Sequence, residues 1–333
     1  MRHTSVSAAL LVAAVIGGLG VAPAGAHAQE GPAVARAAWI KSCHDRKNDT
    51  DAPCGHWRLI TRDGGGVALP DAAATRRHAT GAVAHEPGRL AISGDGRVVA
   101  YERARDHRLV VRRVAGGPVK ELPTSLVPKG IGTDDLLLYV SPLGDKVLVE
   151  YVDDSGRQPT KVVTVATGRT AELPARDSVR GFSADGDEVL ATRTAEDNTT
   201  ALVVHRLGGT STQRTPSQVV ANAPVTALAA DGRTVAVFVS GDTGRGKPPR
   251  LRLYDLETGE LSAGVDLALN PGATPYFARW TADGRLTATV VSAEDGKPEV
   301  VRVLTVDTET GDVTLTDRYS ISKTSYSSTK AGE

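Results

Sequence analysis

Asp95, Asp185, Asp231 and Asp283 are the first residues in this 333-residue chain whose types and spacing suggest chemistry. Recurring carboxylates can bind calcium or act as general acids when a fold brings them together. Each of these, however, is followed directly by Gly and then by an apolar run. That is the pattern of a tight hairpin whose Asp bonds its own backbone while Gly accepts positive φ. We read all four as turn residues. His44, His56, His78, His85, His107 and His205 contain no pair at metal-ligand spacing, so no metal centre and no cofactor are expected. Gly130-Ile131-Gly132 and Gly244-Arg245-Gly246-Lys247 resemble pieces of phosphate loops but lack a strand-to-helix setting, and are read as turns. Asn198-Thr199-Thr200 matches a glycan acceptor pattern and is read as a polar turn.

Basic residues give the remaining candidates. Arg76, Arg77, His78 and His85 share the segment 71–88 with no apolar period. They form either an anion-binding patch on a loop rim or an ordinary solvated connection. Arg180 and Arg279 each stand in a short strand that precedes a repeated turn, a register that points them toward a shared axis. These six are the candidate binding residues, and no catalytic residue is assigned. Lys plus Arg and Asp plus Glu both number 39, so no charge excess recruits nucleic acid or anionic lipid.

Met1-Arg2-His3, the apolar run Val6 to Ile16 and the small-x-small pattern Ala26-His27-Ala28 read as a signal peptide over 1–28, cleaved after Ala28. A secreted protein follows as the expectation. No later stretch approaches 18 apolar residues, so no membrane span is expected. Cys43 and Cys54 flank a polar loop between two candidate strands and suit an oxidising compartment as a disulfide. Zinc would need further ligands nearby, and a redox pair would stand as Cys-x-x-Cys.

These elements repeat. Ser93-Gly94-Asp95-Gly96-Arg97, Ser141-Pro142-Leu143-Gly144-Asp145, Ser183-Ala184-Asp185-Gly186, Ala229-Ala230-Asp231-Gly232 and Thr281-Ala282-Asp283-Gly284 each lead into a hydrophobic strand. The starts at 93, 141, 183, 229 and 281 are 42 to 52 residues apart. A second Gly-centred hairpin follows every copy, which makes four short antiparallel strands per unit. Trp280, Phe182, Ile92, Val140 and Leu228 sit one residue before the turn and are read as inter-blade core. With no 3.6-residue apolar stripe, the class is all-β and the architecture a β-propeller. Five whole blades are visible. Segments near 36–42, 55–62 and 66–70 give three strands of another, and Tyr319-Ser320-Ile321-Ser322 alternates as a fourth strand from the far end. Six blades with a shared N-/C-terminal closing blade is the expectation, with seven as runner-up. The domain order is a signal peptide at 1–28, a short linker at 29–35, one propeller over 36–326, and a disordered tail at 327–333.

The Ser-x-Asp-Gly-Arg/Lys turn followed by a hydrophobic strand resembles the repeat of TolB-like propellers, a branch of the WD-repeat-like superfamily. The resemblance covers about 86–317 and, less clearly, 36–70. It implies the fold and is nearly silent on activity. TolB-like relatives can carry an α/β domain ahead of the blades, and none is expected within these 333 residues; no Gly-x-Ser-x-Gly elbow marks a prolyl-oligopeptidase-type hydrolase. The expected function is a secreted, non-catalytic binding or scaffold protein for a protein, peptide or cell-envelope polymer, acting as a monomer. The alternative is an extracellular hydrolase or lyase with its site in the propeller channel.

Overall fold

The computed structural model describes residues 33–152 and 158–333. The signal-peptide expectation over 1–28 falls outside them, as does most of the linker. Six four-stranded antiparallel sheets account for nearly all the described strands. Blade 2 is Leu90–Ile92, Val98–Glu102, Leu109–Arg113 and Lys120–Glu121. Blade 3 is Leu136–Val140, Lys146–Tyr151, Thr160–Thr164 and Thr170–Leu173. Blade 4 is Asp177–Phe182, Glu188–Thr194, Thr200–Arg206 and Ser211–Arg214. Blade 5 is Val225–Leu228, Thr234–Val239, Arg250–Asp255 and Val265–Asp266, and blade 6 is Phe277–Trp280, Leu286–Ser292, Glu299–Val306 and Val313–Ile321. Second strands are apolar at their centres, where blades cover both of their faces: Val147, Leu148 and Val149 are fully buried, as are Val235 to Phe238. Outer strands such as Ser211–Arg214 are polar and mostly exposed.

The repeated turns work as clamps. Ser93 Oγ donates to Asp95 Oδ1 at 2.6 Å and accepts from Val98 N at 3.0 Å, while Asp95 Oδ1 also accepts Arg97 N at 3.0 Å. Ser141 with Asp145 and Ser183 with Asp185 repeat this at 2.7 and 2.6 Å, and Thr281 pairs with Asp283 likewise. Blade 5 lacks the hydroxyl, and Asp231 instead takes Arg233 N and Thr234 N at 2.9 and 2.8 Å. Each such carboxylate is occupied by its own turn, as its neighbours in sequence imply. The turns also touch the preceding blade. A Cβ on Gly96 would fall 2.2 Å from the Ala35 carbonyl oxygen, and one on Gly144 2.5 Å from Val98.

Blade 1 joins Ala35–Asp45, Thr50–Thr61 and Gly66–Leu69 to Ser325–Lys330 from the far end of the sequence. The bridge Cys43–Cys54 staples its second and third strands, with Cα atoms 5.8 Å apart. The ring therefore closes through a shared blade, with two corrections. The closing strand is Ser325–Lys330, so 327–333 is not a disordered tail. Tyr319 to Ile321 instead end the outer strand of blade 6, where Val301 pairs with Tyr319 and Glu299 with Ile321. Both side chains are still buried, packed against Ala37 of blade 1. The alternation that marked them reflects that interface. The segment 71–88, expected as a loop, holds a hairpin of Thr75–Arg77 and Val83–Pro87. Among the described residues no helix is long and apolar enough to cross a membrane, and no group of three His, Cys, Asp or Glu could hold a metal ion.

Candidate functional site

First strands of successive blades stand next to one another around the axis, and Arg180 and Arg279 project from two of them into a central cavity of about 210 Å³. All six blades contribute to its wall, from Gly94 of the blade 2 turn to Gly332 beyond the closing strand. The chain has only 3 Trp, 7 Tyr and 3 Phe, yet Tyr139, Phe182, Tyr276, Phe277 and Trp280 all line this one space. Phe182 and Trp280 were expected to be inter-blade core. Trp280 does bind the neighbouring blade, its Nε1 donating to Ala227 O at 3.2 Å, but both rings are half-buried and face the cavity as well. A one-residue register cannot say how near the axis a side chain ends, which is why sequence missed this role.

The electrostatics of the cavity suit binding. Among the described residues neither Arg180 nor Arg279 makes an ion pair or a side-chain hydrogen bond. Burial pulls the Arg279 guanidinium down from its ordinary value, while Asp95 acts against this and Arg62 adds to it. Tyr139 donates to Glu150 Oε2 at 3.3 Å, and Tyr276 to Glu333 Oε1 at 2.8 Å. Burial, with the adjacent carboxylate, pushes both phenols well above the usual tyrosine range. Burial likewise raises Glu150, against the Val179 N–H that it accepts at 3.0 Å. The described wall contains no Cys, His, Lys or Ser; it does carry the Thr226 hydroxyl and the Glu333 carboxylate, and no hydrogen bond joins these two among the described residues. It offers apolar and aromatic surface with two cations and one carboxylate, Glu333.

The rim hairpin is differently disposed. Arg76 Nε donates to Pro87 O at 2.7 Å and its Nη1 to Glu86 Oε2 at 2.9 Å. Arg77 Nε donates to His107 Nε2 at 2.5 Å, which leaves Nδ1 of that ring to donate to Glu102 Oε1 at 2.5 Å. Since Arg can only donate, this geometry requires a neutral His107. Thr133 Oγ1 completes the group by donating to Glu102 Oε1 at 2.9 Å, and His78 pairs with Asp134. Glu102 is fully buried, and burial raises its carboxyl despite the hydrogen bonds from His107 and Thr133. Arg89 beside it is lowered to about 10, chiefly by burial and then by Arg76. A cavity of about 300 Å³ lies between this group and Val127 and Ile131. Of the four predicted hairpin residues, His85 alone is exposed with no side-chain partner described; Arg76 bonds within the hairpin, and Arg77 and His78 tie it to His107 and Asp134. Glu102, His107 and Thr133 escaped sequence reasoning because nothing in their spacing distinguishes them from ordinary strand ends and turns.

No protein-family model matches the sequence, and a search of the curated proteins finds no match. Among solved structures, a candidate TolB from Agrobacterium tumefaciens is similar at 12% identity and TM-score 0.45, over 87% of this chain and 91% of that one. TolB from Acinetobacter baumannii is similar at 15% identity and TM-score 0.48, over 84% of this chain and 65% of that one. The β-propeller domain of the Trilobed protease from Pyrococcus furiosus is similar at 12% and 0.45, over 86% and 93%. The blade count itself rests on the strand order described above. The chain is a six-bladed β-propeller closed by strands from both ends of its sequence, and TolB and other β-propeller proteins are among the solved structures it resembles.

Proposed function

We propose that the chain is a secreted, non-catalytic binding protein whose ligand, a protein, peptide or envelope polymer bearing an anionic group, enters the central channel. One observation carries this: five of the chain's few aromatic rings and two arginines without a carboxylate partner converge on one cavity. Aromatic faces supply contact area at low entropic cost, and a poorly solvated guanidinium favours an oxyanion. Hydrolysis or lysis would need a base in the channel. The raised phenols stay protonated at neutral pH and the arginines stay cationic, while the carboxylate on the described wall, Glu333, already accepts from Tyr276 Oη and Lys330 N at 2.8 Å each. The Cys43–Cys54 bridge accords with an oxidising compartment.

The test is capture from the envelope fraction of the producing culture, followed by titration of the purified captured component. Arg180→Gln should weaken that binding about tenfold, the scale of one charge-assisted contact, without shifting the melting temperature. His85→Ala, on the rim, should leave it unchanged. Equal affinity of the Arg180 variant, or saturable turnover of any glycoside, ester or peptide substrate, would refute the proposal.

A further inference from the structure

Blades 6 and 1 meet around a second cavity, of about 310 Å³, at the seam where the ring closes. Its wall is basic. Three of its cations already have carboxylates: Arg36 lies 2.9 Å from Asp317, Lys330 3.0 Å from Glu299, and Arg285 2.7 Å from Asp283. Arg62, exposed at the edge, and Arg279, half-buried further in, have none among the described residues. Asp95 also borders the cavity, but its Oδ1 is taken by Ser93 Oγ and Arg97 N, and it makes no ion pair with Arg279. Thr305 adds a buried hydroxyl with no hydrogen-bond partner. Burial already disfavours the charged form of Arg279, and an unmatched half-buried cation beside an orphaned hydroxyl is costly unless something fills the space between them.

From this arrangement we infer that the seam is a binding site for a small oxyanion of the phosphate type, held by Arg62 and Arg279 with Thr305 as hydroxyl donor. The donors come from three elements: the turn after Thr50–Thr61, the first strand of blade 6 and its third strand. An acceptor with oxygens pointing in several directions suits such a set better than a planar carboxylate, and guanidinium groups bind tetrahedral oxyanions through paired N–H donors. The bound ion would link blade 6 to blade 1 and so act on ring closure. Arg279 borders both cavities, so the two sites share one cation; Arg62 borders only the seam cavity and Arg180 only the channel, which keeps their tests separable.

The test uses the full chain with inorganic phosphate as the probe, ionic strength being held constant with chloride. Saturable heat of binding is expected, together with a melting temperature raised by a few degrees at about 100 times the Kd. Arg62→Gln and Thr305→Val should each weaken phosphate about tenfold, and Arg62→Lys, which keeps charge but loses the fork, by less. These variants should leave channel binding intact, whereas Arg180→Gln should leave phosphate binding intact. If Arg279→Gln fails to fold, the Arg62 pair still decides the matter. No phosphate-specific heat, binding undiminished in Arg62→Gln, or acetate binding as tightly as phosphate would each overturn the assignment.

Discussion

Removing the closing strand should cost the ring much of its stability. Five residue pairs join Ser325–Lys330 to Ala35–Asp45, from Ala37 with Lys330 to Lys41 with Ser325. At about 0.5–1.5 kcal/mol net per ladder bond, about five such bonds contribute roughly 2.5–7.5 kcal/mol. Whole domains are stable by only about 5–15 kcal/mol, so the loss is a large share. For a chain of this size about 2 °C follows each kcal/mol, which gives a fall of about 5–15 °C. The deletion should begin at residue 323, because the outer strand of blade 6 runs to Ile321 and an earlier cut would damage two blades at once. Calorimetry of the truncated and intact proteins measures the shift, with light scattering to report association through the newly bared edge. A synthetic peptide of residues 323–333, added in excess, should restore most of the lost melting temperature. A truncated protein melting within about 2 °C of the intact one would show that these pairs do not hold the ring, on the same scale of a few degrees per kcal/mol.

Three further outcomes are expected. Replacing both Cys43 and Cys54 with Ser opens a link of sequence separation 11. It should cost about 2–3 kcal/mol in the chain-entropy model, and dithiothreitol should shift the melt of the native protein equally. Ser93→Ala removes the hydroxyl that serves Asp95 and leaves the Val98 N–H without it, so urea unfolding should show a loss of about 1–3 kcal/mol. Asp177 is raised by burial but lowered more by the hydrogen bonds from Arg193 and His205, so its folded-state pKa lies below the unfolded one. Its contribution is present above the unfolded value of about 4 and is lost as pH falls through the folded one. Asp177→Asn should therefore destabilise at neutral pH, by about 3 kcal/mol or more for a broken buried pair, and flatten the fall in stability below about pH 4. An unchanged acid limb would disprove that assignment.

Much of the fold was legible because it is local. A turn clamp, an apolar second strand and a Gly-centred hairpin are each written within a few residues, and their recurrence gives the blade count. The closing strand was misplaced for a physical reason. Ser325–Lys330 carries no apolar alternation, whereas Tyr319 and Ile321 alternate because blade 1 covers them from outside. The hairpin in 71–88 was hidden because backbone pairing and arginine bonds hold it, with little apolar burial to leave a periodic trace. At the site, register alone brought Arg180 and Arg279 to the channel. The aromatic wall and the seam cavity depend on how far blades splay, and that is a property of the closed ring alone.

The close contact between each turn and the blade before it bears on how such a chain can change through descent. Gly144 meets Val98 and Gly96 meets the Ala35 carbonyl, so these turns must fit two structures at once. A larger residue at 144 could be accepted only with a smaller one at 98, and these two positions should vary together among relatives. Position 96 has no such escape, since backbone cannot shrink. A duplicated or exchanged blade would therefore have to bring a compatible edge of its neighbour with it. The heritable unit of this ring is thus offset from the sheet that the eye picks out, beginning in one blade and ending against the next.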